Sequence, residues 1–156
     1  MKEYSSTYNT KQLQQKLVQI LEEMNRKTTY FEEVSIPTIP NSEIIFEFGI
    51  ATGEKIDFLT NKETNMTLNI LRDKTSLDFF CAIRYYKNDT EKKIPLKFDY
   101  YMFRTNFTAK TIEFRVFHKQ GPRYITPEEL VTMIINKINK TSAKKILCEN
   151  THGTFE

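Results

Sequence analysis

Three consecutive segments alternate side-chain character with a period of two, and that pattern limits the fold more than any other feature of the chain. Leu77, Phe79, Cys81, Ile83 and Tyr85 alternate with Asp78, Phe80, Ala82, Arg84 and Tyr86. Beyond the polar stretch Lys87 to Lys93, one set is Ile94, Leu96, Phe98, Tyr100 and Met102, and the other is Lys97, Asp99, Tyr101 and Phe103. Beyond Asn106 to Lys110, Ile112, Phe114 and Val116 alternate with Glu113, Arg115 and Phe117. Successive strand side chains point to opposite faces. Short polar connections suit antiparallel neighbours, because parallel strands need a long crossover. The three segments therefore read as an antiparallel meander.

The preceding residues extend the sheet. Ile44, Phe46, Phe48 and Ile50 line one side of a strand, and Ala51 to Glu54 turn it into Lys55–Leu59. Met66 to Leu71 offers another short strand, and Tyr30 to Ile36 an edge strand or extended crossing, stopped by Pro37 and Pro40. Both flanks are helical. Leu13, Leu17, Ile20, Leu21 and Met24 make an apolar stripe over Lys11 to Arg26, with Thr10 as the expected N-cap. Thr126, Pro127 and Glu129 form a capping box before Leu130, Val131, Ile134, Ile135 and Ile138.

The expected fold class is α+β: a curved, mainly antiparallel sheet of five to seven strands packed with an N-terminal and a C-terminal helix. Residues 1–9 are expected to be flexible, 10–148 to form one domain, and 149–156 to be a disordered tail. Ala143 to Cys148 is expected to add a turn or a short helix.

Function is less constrained. Cys81 and Cys148 are the only cysteines, too few for a disulfide scaffold, and both are expected to be reduced. No stretch has the apolar length of a signal or of a membrane span of roughly 20 residues, so an intracellular location, cytoplasmic or nuclear, is expected. The histidines, His118 and His152, lack ligand spacing, the cysteines lack CxxC spacing, and the glycines are dispersed. No catalytic residue, metal site or cofactor is assigned, and a non-enzymatic role is expected.

Two surfaces remain as candidates. Phe80, Tyr86, Tyr101, Phe103 and Phe117 fall opposite the main apolar register and would form a second aromatic face, which needs a cover. These are the protein-interface candidates, for a protein partner or a second copy. The other surface is basic: Lys92 to Lys145 holds 12 basic against 4 acidic residues. Arg104, Lys110, Arg115, His118, Lys119, Arg123 and Tyr124 are the candidates for binding nucleic acid or another polyanion. A third expectation is a helix-grip-like domain holding a small apolar ligand beneath the sheet. Interaction or complex assembly is the leading reading.

Overall fold

Leu77, Phe79, Cys81, Ile83 and Tyr85 all turn to one side of their strand, and the core is built on that side. The computed structural model describes residues 2–25, 28–30, 42–52, 55–58, 74–88 and 93–150. Its elements are β1 (Lys2–Ser6), α1 (Thr10–Met24), β2 (Thr28–Tyr30), β3 (Ser42–Thr52), β4 (Lys55–Phe58), β5 (Ser76–Asn88), β6 (Lys93–Thr108), β7 (Thr111–Gln120), α2 (Pro127–Asn139) and β8 (Leu147–Glu149). The strands order as β2-β3-β5-β6-β7-β1-β8, with β4 hairpinned onto β3, and every pairing between them is antiparallel. This is the α+β architecture expected from the sequence. Among the described residues the strand count is eight once the three-residue β2 and β8 are included. Met66 to Leu71 and Phe31 to Ile36 lie outside the described residues.

Both helices pack on the same face of the sheet. From α1 come Leu13, Leu17, Val18, Ile20, Leu21 and Met24, and from α2 Leu130, Val131, Ile134, Ile135 and Ile138. Facing them are Phe46, Phe48, Phe79, Phe103 and Phe114, each at most 2% exposed. Phe79 stacks on Phe103 at 5.0 Å between ring centroids, and Phe48 meets Phe103 edge-on at 6.3 Å. Each such side chain contributes roughly 2 kcal/mol through burial. These side chains form one cluster between the helices and the sheet.

The facing of β6 is the main correction. Phe103 lies opposite Phe79, Tyr101 opposite Cys81 and Asp99 opposite Ile83, so these three point inward. Phe98, Tyr100 and Met102 point outward. The cause is a bulge: Arg84 lies opposite Phe98, but Tyr86 lies opposite Pro95, three steps of β6 against two of β5. The extra residue inverts the alternation, so a phase read from Ile94 and Leu96 does not carry through to Tyr100. Tyr101 and Phe103, expected on the second face, belong to the core.

Two short strands, Lys2–Ser6 and Leu147–Glu149, complete the sheet. Lys2–Ser6 is a strand between β7 and β8, anchored by Tyr4, whose buried ring meets Phe114 edge-on at 5.9 Å. Leu147–Glu149 is a strand, not a helical turn. Asn139 sets it there: its Oδ1 accepts from the backbone N–H of Ile146 and Leu147 at 3.0 and 2.9 Å, and its Nδ2 donates to the Leu147 carbonyl at 3.1 Å. The α2 capping box forms as read, with Thr126 accepting from the Glu129 N–H and Glu129 from that of Thr126. In α1 the cap is Asn9, not Thr10, because Gln12 completes a capping box with it.

Candidate functional site

The outer face of the sheet carries what the helices leave uncovered. On it lie Phe80, Ala82 and Tyr86 of β5, Phe98, Tyr100 and Met102 of β6, and Arg115 and Phe117 of β7. The Phe80 and Tyr100 rings are 5.4 Å apart, and those of Phe98 and Tyr100 4.8 Å. Phe98 is 45% and Phe117 54% exposed, whereas Ala82 is buried and Phe80 and Tyr86 are half-buried. The cross-strand pairs Phe80–Met102 and Met102–Phe117 make one apolar row across three strands.

A groove of about 330 Å³ adjoins this row, lined by Asp78, Met102, Phe103, Arg104, Arg115, Phe117 and Lys119. Arg104 makes two bonds to Asp78, at 2.6 and 2.9 Å. Those hydrogen bonds lower the Asp78 carboxyl below its ordinary value. Arg115 binds Glu113 at 2.8 Å. The Lys119 ammonium sits 5.8 Å from the centre of the Phe117 ring, within cation–π reach. The groove thus joins apolar side chains to three cations, two of them already held in place by carboxylates.

The other basic candidates do not join them. Lys110 sits in the β6–β7 turn with φ 59°, at the far end of β7 from Lys119, and its carbonyl accepts from the Ser6 N–H at 2.7 Å. His118 and Tyr124 face inward. Arg123 lies in the loop after β7 with φ 61°, an exposed residue whose backbone N–H is turned in to Asp99.

Asp99 is the residue that sequence reasoning missed. Its carboxylate is fully buried and accepts four bonds: Oδ1 from His118 Nε2 at 2.8 Å and the Arg123 N–H at 2.7 Å, Oδ2 from the Tyr85 hydroxyl at 2.5 Å and the Tyr124 N–H at 3.1 Å. Tyr124 packs edge-on against Tyr85 at 4.9 Å, and the Tyr101 hydroxyl donates to the Ile125 carbonyl. Gly121 presses on the same spot with φ 110°, where a Cβ would fall 2.2 Å from the Phe98 carbonyl oxygen and 2.5 Å from Asp99 Oδ1. Burial, then the bond to Asp99, pushes the Tyr85 hydroxyl far above its ordinary value. Burial and the Asp99 charge do the same to Tyr101 and to the Cys81 thiol. A carboxylate flanked by aromatic residues in a strand, followed by a Gly-Pro turn, is the signal that could have found it.

This cluster closes the loop between β7 and α2. An Asp–His pair orients the base of a nucleophilic triad, but among the described residues no serine, threonine or cysteine side chain bonds His118. Among the described residues no three His, Cys, Asp or Glu gather as a metal site, and no helix is long and apolar enough to cross a membrane. Comparison with models of known protein families, with curated proteins and with solved structures finds no match.

Proposed function

We propose that the chain is a non-enzymatic interaction domain that holds a protein partner on the outer face of β5, β6 and β7. The observation that carries this is Phe117: a ring 54% exposed on a groove that Met102, Arg104, Arg115 and Lys119 also line. Aromatic residues, Met and Arg together are the composition of interface cores. The neighbouring rings of Phe98, Tyr100 and Phe80 enlarge the patch.

Polyanion binding is the second reading, favoured by three cations on one groove. Two of them already serve Asp78 and Glu113, which leaves less free charge for phosphates, and Lys110 is remote. The protein reading uses rings and cations together.

The test is purification from the native cells at low ionic strength, with and without nuclease, for the wild type and Phe117→Ser. A stoichiometric protein that survives nuclease and is lost with Phe117→Ser is the expected result. Nucleic acid as the sole retained species, or a protein retained equally by Phe117→Ser, overturns the proposal.

A further inference from the structure

The open edge of β7 says how a partner reaches this groove. Among the described residues β1 covers β7 from Thr111 to Phe114, with Lys2 opposite Phe114. β7 itself continues to Gln120, still paired with β6 on its other side. Among the described residues nothing pairs with β7 beyond Phe114 on the β1 side.

The direction of each backbone group follows from one bond. The Glu3 carbonyl accepts from the Asn150 N–H at 2.8 Å, so Glu3 turns its backbone groups to β8 and its neighbours Lys2 and Tyr4 turn theirs to β7. Their partners Phe114 and Ile112 answer them. The two-residue period then points the N–H and C=O of Val116 and His118 out of the free edge, while Arg115 and Phe117 bond to β6. The β6 side agrees: the Phe107 N–H bonds Thr75, so Arg104 and Met102 turn to β7, opposite Arg115 and Phe117.

A strand laid on this edge presents alternate side chains to the two faces. Residues opposite Val116 and His118 point towards the core side, where Val116 packs on the core and His118 is 17% exposed. Residues opposite Arg115, Phe117 and Lys119 point to the groove. Among the described residues no carboxylate pairs with Lys119, and the groove carries three cations against the single carboxylate of Asp78. A second copy of this chain fits the edge badly: centred on Phe117, antiparallel pairing would set Arg115 against the copy's Lys119, like charges directly opposed.

Resting on the interaction reading above, we propose that the partner enters as an extended strand. It pairs with Val116 and His118 in the lane left open beyond β1. It presents an acidic, apolar, acidic alternation to Arg115, Phe117 and Lys119. Main-chain bonds supply affinity, and the alternation sets register.

The test uses the isotope-labelled full chain and a synthetic peptide with the core Asp-Thr-Leu-Thr-Asp, followed by amide exchange in the magnetic-resonance spectrum. On binding, the Val116 and His118 amides become protected, and the same peptide with Lys in place of Asp binds markedly less. Lys119→Glu weakens the acidic peptide roughly fivefold. Binding that shifts Phe117 but leaves the Val116 and His118 amides unprotected overturns the strand pairing and leaves the proposed face standing. Failure of the acidic peptide to bind, or equal binding of both peptides, overturns the recognition pattern. Protection that grows with protein concentration alone overturns it in favour of a second copy. Failure of the face itself is read separately, from the Phe117→Ser purification.

Discussion

Asp99 and His118 sit on neighbouring strands but are not ladder partners: Tyr101 is opposite His118, and Asp99 reaches the imidazole Nε2 diagonally, at 2.8 Å. The bulge beyond that pair, where Tyr100 faces Gln120, brings the end of β7 within reach. One carboxylate thereby fixes an imidazole, a phenol and two backbone amides of the following loop.

Asp99→Asn keeps the shape and replaces one acceptor oxygen with a donor. Two of the four donors then meet an amide nitrogen in a buried place. Stability should fall by about 3 kcal/mol, measured by urea unfolding. The Arg123 and Tyr124 amides should lose exchange protection before the strands do.

Gly121→Ala adds a Cβ where the backbone is left-handed and Phe98 and Asp99 are already in contact. A loss of at least about 2 kcal/mol is expected. Lys110 also has positive φ, so Lys110→Gly should be neutral or stabilising by up to about 1 kcal/mol. Paired thermal melts of the two variants check the contrast.

Alkaline pH should unfold the protein through its buried phenols. The Tyr85 and Tyr101 hydroxyls are raised in the folded state by burial first and Asp99 second. In the unfolded chain they ionise near pH 10. Above that value the unfolded state releases protons that the folded state retains, so stability is intact below about pH 10 and falls as pH rises. The slope is about 1.4 kcal/mol per pH unit for each such group. Urea midpoints on either side of pH 10 should show the decline, and Tyr85→Phe should flatten it.

Phe117→Ser removes an exposed ring and no core contact. Its unfolding free energy should stay within about 0.5 kcal/mol of the wild type. A larger loss in urea would mean that the ring is structural and that the outer face is not a free surface.

Most of the architecture was legible in the sequence because local signals and burial agree there. The α2 start is written in Thr126, Pro127 and Glu129, and the inward phase of β5 in Leu77 to Tyr85. β6 was misread because both of its faces are aromatic: Phe98, Tyr100 and Met102 are as apolar as Tyr101 and Phe103, and a bulge leaves no mark in composition. The candidate surface was legible in part. Phe80, Tyr86 and Phe117 lie on the outer face as read, and Arg104, Arg115 and Lys119 share one groove with Phe117. Asp99 was missed because its four partners come from three separate places in the chain and meet only after folding. β1 was missed because Lys2–Ser6 holds one apolar anchor, Tyr4, and takes its register from strands far away.

That distance has a consequence for how the molecule is assembled. The side chains of Lys2 and Glu149, bonded at 2.8 Å, are 147 positions apart in sequence. Within this sheet β1 leaves the ribosome before the other described strands, yet its two neighbours, β7 and β8, follow all the rest. Closing so long a loop is slow. Until β7 exists, Tyr4 has no ring to meet and the strand no lane to enter. β1 is thus made before its neighbours and seated after them, and the stretch of β7 from Thr111 to Phe114 stays uncovered until then.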